Sequence, residues 1–332
     1  MTTNIKEKAL QLGYSSCGII PAATFKEYYE ALDKRIESFP ESKRFYESMY
    51  ESGASEGKSI IVCIYGYNHF KVPQNLEGHF AKYYLFHSDI AYSKAFRAKS
   101  EFESYLQTLG LCVLKSQEPP MRWAAVKAGL GKFGRNNFVY TNEHGSHIHI
   151  DAWTVDGVLD YDQCQEETLM PGCKEGCRKC VTACPTKALC DEFSMDLGKC
   201  VTYLVFRKNS NEVNEQLGQW MYGCDACQDA CPMNKGKLTD MEDFPLLPQY
   251  SQHMNLENIL AMDGDVYANI VHPRFWRAGK DGIVAWQRNA LRCMINSSEE
   301  KYHKLILECV NRPELEEVAR WGCAKLGIGL SV

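Results

Sequence analysis

Seven cysteines fall into two short runs whose spacing suits soft-metal chemistry. CKEGCRKCVTACPT supplies Cys173, Cys177, Cys180 and Cys184, and YGCDACQDACPMN supplies Cys224, Cys227 and Cys231. Both contain C-x2-C-x3-C-P, the pattern of cysteines that hold [4Fe–4S] clusters. Thiolates are strong, soft donors for iron, and a C-x2-C turn points two of them into one space. In two-cluster proteins the cysteine before the proline ligates the other cluster. One set is therefore expected to be Cys173, Cys177, Cys180 and Cys231. The other is Cys184, Cys224, Cys227 and a cysteine from between the runs, for which Cys200 ranks above Cys190 and Cys164. The Cys173–Cys177 pair has three intervening residues where the pattern has two. Two zinc sites are the competing reading of C-x2-C pairs, but zinc does not need the doubled run.

The totals fit this chemistry. Sixteen cysteines in 332 residues are many, and ten of them lie between 164 and 231. The chain opens on MTTNIKEKALQLGY, an amphipathic helix start without a signal-like apolar run, and no window is apolar enough to span a bilayer. A cytoplasmic, membrane-free protein is expected, where disulfides are a poor explanation for so many cysteines. A net charge of −5 argues mildly against a surface built mainly to hold phosphate backbones.

Elements on either side must position the cysteines. Apolar, β-rich runs occur at residues 15–21, 59–67, 111–114 and 138–141, and HIHIDAWTV from His147 alternates as a half-buried strand does. Helices are expected at the N-terminus and at 24–38, 89–109 and 122–128, which together predict an α/β or α+β domain around one sheet. A short helix at 201–208 separates the cysteine runs. Beyond the loop TDMEDFPLLPQ, residues 284–295, 301–310 and 314–326 read as helices.

Several segments together resemble the epoxyqueuosine reductase family, which is related to the corrinoid reductive dehalogenases. They are AFRAKSEFESYLQTLG, RWAAVKAGLGKFGRNNFVYT, GSHIHIDAWTVD, CPTKAL, GKCVTYL, YGCDACQDACPMN and WQRNALRCMINS, in matching order along nearly the whole chain. The resemblance implies an α+β protein in three parts: an α/β cobalamin-binding-like domain (residues 1–160), a ferredoxin-like two-cluster domain (161–245) and a short HEAT-like helical tail (246–332). It further implies that the glycine-rich turn and the strands after it line a corrinoid. The matching residues are Gly129, Gly131, Gly134, Arg135, Asn136, Val139, Thr141 and Ile150, with Tyr92 before the long helix. The family's proton donor is an Asp in a D-x-x-P-V-L-E-R-like run, where this chain reads LKSQEPPMRWAA. An ungapped count puts Lys115 at that place. Allowing a short deletion puts Glu118 there, with Arg122 as a substrate anchor.

The leading expectation is thus a cobalamin-dependent reductase fed through two clusters by an external low-potential donor, acting on epoxyqueuosine in tRNA or on a small organic molecule. The alternative is a non-catalytic electron carrier or reductive activator of a partner corrinoid protein. A basic cluster in HPRFWRAGKDG and at Arg288, Arg292 and Lys304, with Phe275, Trp276 and Trp286 among the charges, is the candidate tRNA face.

Overall fold

The computed structural model describes residues 1–23, 25–51, 56–163, 173–190, 193–206, 215–280 and 282–329. Cys164 and the last two residues of the helix expected at 201–208 lie outside them.

Strands β1 (Ser16–Pro21), β2 (Ser59–Gly66) and β3 (Ile148–Val155) form one sheet with β2 in the centre, and both pairings are antiparallel. All eight residues of β2 are buried, because both faces of the sheet are covered. Ile60, Val62 and Ile64 share a core with Phe25, Trp123 and Ala124, so helices Lys26–Ser38 and Met121–Lys127 cover one side. Ile61, Cys63 and Tyr65 pack with Ile5, Phe102 and Trp153, under helices Thr2–Gln11 and Lys94–Thr108. The antiparallel sheet makes the whole molecule α+β.

Two expected strands are reduced. Residues 111–114 contribute only a bridge from Val113 to Val155, and 138–141 contribute a hairpin arm, Val139–Tyr140, paired with Lys132–Phe133. The hairpin is tight. A Cβ at Gly131 would lie 2.6 Å from Val139 Cγ1 and 2.9 Å from the Tyr140 carbonyl oxygen, which explains the glycine.

A third core joins distant parts of the chain. Tyr67, Phe70, Leu85 and Phe86 pack with Phe244, Phe275, Trp286 and Met294, and Phe70–Lys71 pairs in parallel with Glu242–Asp243. The stretch after β2 is thereby anchored to the tail helices Ile283–Ser297, His303–Glu308 and Glu316–Leu326.

Two of the six basic residues of the expected face, Arg274 and Arg292, are drawn into this core, while Arg277, Lys280 and Lys304 stay exposed. Arg274 and Arg292 are each 1% exposed. Arg274 donates to the Tyr84 carbonyl at 3.3 Å and to the Leu85 carbonyl, and lies 5.1 Å from the centroids of Phe244 and Phe275. Arg292 donates to the Trp220 carbonyl, and Arg312 to the Leu260 carbonyl at 3.1 Å. These arginines close the ends of neighbouring segments instead of presenting charge. Arg274→Met should therefore cost about 2–4 kcal/mol by leaving buried carbonyls unpaired. Lys304→Met, at an exposed position, should stay within about 0.5 kcal/mol. Urea midpoints would compare them, and equal midpoints would refute the structural role of Arg274.

Candidate functional site

The cysteines gather by set. Cys180, on the short helix Lys179–Ala183, is buried with Cys173 and Cys231 as its thiol neighbours. The Arg135 amide donates to Cys173 Sγ at 3.2 Å, and the Tyr140 hydroxyl bonds with Cys231. Cys177 is half-buried on the same run. The second group converges on one cavity of about 340 Å³, whose wall contains Cys184, Cys200, Cys224 and Cys227. Cys190 points elsewhere, its sulfur 3.8 Å from the Ala188 carbonyl oxygen.

Burial pushes the Cys200, Cys224 and Cys227 thiols up, since a lone thiolate is poorly solvated there. Backbone amides oppose this: Thr202 and Tyr203 donate toward Cys200, and Ala226 toward Cys224. Such donors tune the sulfurs of a cluster. Among the described residues no three His, Cys, Asp or Glu side chains meet closely enough for a single ion. A tetrahedral zinc site, with Zn–S near 2.3 Å, needs its sulfurs only about 3.8 Å apart.

Beside the cysteine cavity lies a larger one of about 610 Å³. Its floor is the sheet and hairpin, with Val139, Ile148 and Ile150, and its walls include Tyr28, Trp123, Tyr83 and Tyr84. The two cavities share Tyr84, Arg122, Phe138, Thr202, Cys224 and Arg277. Its one lining carboxylate, Asp225, accepts from the Lys82 amide at 2.8 Å and ion-pairs with Lys82 Nζ at 3.2 Å.

The expected cofactor residues divide between these places. Val139 and Ile150 line the large cavity. Gly131 shapes the hairpin, Gly134 packs under Tyr140, and Gly129 turns the chain with φ +73°. Asn136 faces the cysteine cavity and donates to the Tyr140 hydroxyl at 2.8 Å and the Cys227 carbonyl at 3.3 Å. Arg135 stands over Phe193, 5.5 Å from its centroid. Thr141 accepts from the His144 amide at 3.0 Å within its own turn. Tyr92 stacks on Tyr250, packed against the tail core. Arg122 lines both cavities and donates to the Asn137 carbonyl at 2.6 Å. Glu118 is exposed and outside the cavity wall, with Lys99 as a charged neighbour. The sequence does not single out Tyr83, Tyr84 or Arg277 as cavity residues. The adjacent tyrosines in the His- and Tyr-rich stretch 77–88 were the available signal.

Behind Tyr83 lie buried histidines. Its ring centroid is 4.9 Å from that of His87 and 5.0 Å from that of His149, and His87 and His149 stand 5.6 Å apart. Burial lowers His87 and His147 to about 4 and His149 to about 3, so all three are neutral in the fold. Below pH ~6.5 the unfolded chain binds protons that the folded chain refuses, down to the folded pKa values. Stability should then fall on acidification by roughly 1.4 kcal/mol per pH unit per histidine. Urea midpoints at two pH values between neutral and mildly acidic would test this, with an unchanged midpoint meaning that the histidines are charged in the fold.

Fold and site together fit a two-cluster iron–sulfur protein in which one cysteine group opens onto a larger cavity. Residues 172–234 match the 4Fe-4S double cluster binding domain. The epoxyqueuosine reductase of Cellulophaga algicola is 27% identical over 275 residues, 78% of this chain and 86% of that one. The Bacillus subtilis epoxyqueuosine reductase, solved with its catalytic aspartate loop swung out of the active site, superposes with a TM-score of 0.76 at 22% identity, covering 98% of this chain and 90% of the other. An epoxyqueuosine reductase bound to an epoxyqueuosine-modified tRNA-Tyr stem loop gives a TM-score of 0.74 at 23% identity over the same shares. The chain resembles the epoxyqueuosine reductases in sequence and fold. No helix among the described residues is long and apolar enough to cross a membrane.

Proposed function

We propose that this chain is a cobalamin-dependent iron–sulfur reductase of the epoxyqueuosine type. The observation that carries the reading is the shared wall: Cys224 belongs to the cysteine cavity and to the large cavity at once. A cluster held by Cys184, Cys200, Cys224 and Cys227 would then stand beside whatever occupies the large cavity. The set Cys173, Cys177, Cys180 and Cys231 lines neither cavity and would receive electrons from an external low-potential donor. A bare carrier has no use for such a chamber, which ranks the carrier reading second.

A chamber of about 610 Å³ with an aliphatic floor and aromatic walls suits a large flat ligand. Val139, Ile148 and Ile150 would support a corrinoid from one side, and Tyr28, Trp123, Tyr83 and Tyr84 would keep water from it. Cobalamin, when bound and reduced, supplies a strongly nucleophilic two-electron centre. Reductive removal of an epoxide oxygen consumes two electrons and two protons and leaves an alkene and water. Glu118 is the carboxylate nearest in sequence to the wall residues Pro120 and Arg122. It is our candidate proton donor, brought to the cavity by movement of its loop.

Epoxyqueuosine in tRNA is the first candidate substrate. A small organic molecule is the second, favoured by the burial of Arg274 and Arg292, which removes two charges from the expected tRNA face. Anaerobic reconstitution followed by iron and cobalt assay tests the cofactors: about eight irons and one cobalamin per chain are expected. Iron without corrinoid affinity would leave the carrier reading. Incubating the reduced protein with epoxyqueuosine-containing tRNA tests the substrate, and no conversion by fully loaded protein would leave the small molecule.

A further inference from the structure

Arg122 and Arg277 sit on the partition between the two cavities, and each faces both. Arg122 comes from the first turn of helix Met121–Lys127 and Arg277 from the turn Trp276–Ala278. Both act on the Tyr83 hydroxyl electrostatically, opposing the rise in its pKa that burial causes. Their own partners are neutral. Arg122 donates to the Asn137 carbonyl, and Arg277 lies 5.9 Å from the centroid of Tyr84. Among the described residues neither has a carboxylate within ion-pair distance, and Arg35 adds a further positive charge near Arg122.

Both residues keep exposed surface while lining the cavities, so an anion can reach their guanidinium groups from solvent. The lining offers no compensation, because Asp225 is already engaged by Lys82. The cavity is therefore locally positive in a chain of net charge −5. Planar guanidinium forks match the oxygen pairs of phosphate and carboxylate.

We propose that Arg122 and Arg277 form an oxyanion subsite at the junction of the two cavities, taking one phosphate or carboxylate group of the ligand bound there. The inference rests on the reading of the large cavity as a ligand chamber. The oxyanion has two sources: the phosphodiester of the corrinoid's nucleotide arm, or an acidic group of the substrate. Cobinamide, which lacks that phosphodiester, separates them.

Calorimetric titration of the protein without corrinoid, using inorganic pyrophosphate as the probe, tests the subsite itself. Arg277→Gln should weaken pyrophosphate about ten- to a hundredfold, and Arg277→Lys should recover part of the loss. Titration with cobalamin and cobinamide then assigns the source. If the corrinoid supplies the anion, Arg277→Gln weakens cobalamin and leaves cobinamide unchanged. If the substrate supplies it, both corrinoids bind the variant as they bind the wild type, and the cobalamin-loaded wild type still takes up pyrophosphate. Pyrophosphate binding that is absent, or equal in wild type and variant, overturns the subsite. Failure of both corrinoids to bind the wild type would instead sink the cobalamin reading alone, because the pyrophosphate titration contains no corrinoid.

Discussion

Cys200→Ser should halve the iron content of the reconstituted protein, from about eight irons per chain to about four. Cys200 stands just before the helix Val201–Val205, and its sulfur receives the Thr202 and Tyr203 amides. It shares a cavity wall with Cys184, Cys224 and Cys227. A serine hydroxyl is a harder donor with a far higher pKa, so the fourth iron of that cluster loses its ligand. Visible charge-transfer absorption should fall in step. The remaining cluster cannot pass electrons to the large cavity, and bound cobalamin should stay oxidised when a low-potential donor is supplied. Cys190→Ser is the control, because Cys190 lies outside the wall and its sulfur faces the Ala188 carbonyl at 3.8 Å. Eight irons in the Cys200 variant and four in the Cys190 variant would reverse the assignment.

The second large effect is expected on turnover. Glu118→Gln should lower kcat about 10²- to 10⁴-fold, the usual worth of a positioned general acid, while iron content and corrinoid binding stay unchanged. Glu118 is exposed and precedes Pro119 and Pro120, the second of which is a wall residue. The loop that carries it is therefore tied to the cavity at one end. Lys115→Gln provides the comparison, since Lys115 pairs with Glu103 at 2.9 Å on the outer side. Full activity in Glu118→Gln would remove the carboxylate from the mechanism and point to a cavity group such as Tyr83 as the donor.

How much of this was legible beforehand follows from the range of the interactions involved. The cysteine runs, the separating helix and the main strands and helices of the first half are local patterns, and each is written in consecutive residues. SIIVCIYG announces a strand covered on both faces by its unbroken apolar run. The same text does not say that its neighbours are antiparallel, because strand order depends on partners far away in sequence. Arg274 and Arg292 show the opposite case. In sequence they read as a basic face, but in the fold each caps carbonyls of a distant segment and is 1% exposed. A side chain's burial is set by what packs over it, and the covering stretch lies nearly two hundred residues upstream for Arg274.

By itself, then, the sequence determined the two cysteine runs, the mixture of helices and strands before them and the likeness to epoxyqueuosine reductases, because these rest on spacing and order. Only the tertiary structure decided that Cys200 shares a wall with Cys184, Cys224 and Cys227 while Cys190 does not. It alone put Arg277 and Arg122 on the walls of the same two cavities, and joined the cysteine cavity to the larger one through Cys224. Cavities are made where surfaces from several segments fail to close, and no single segment carries their shape.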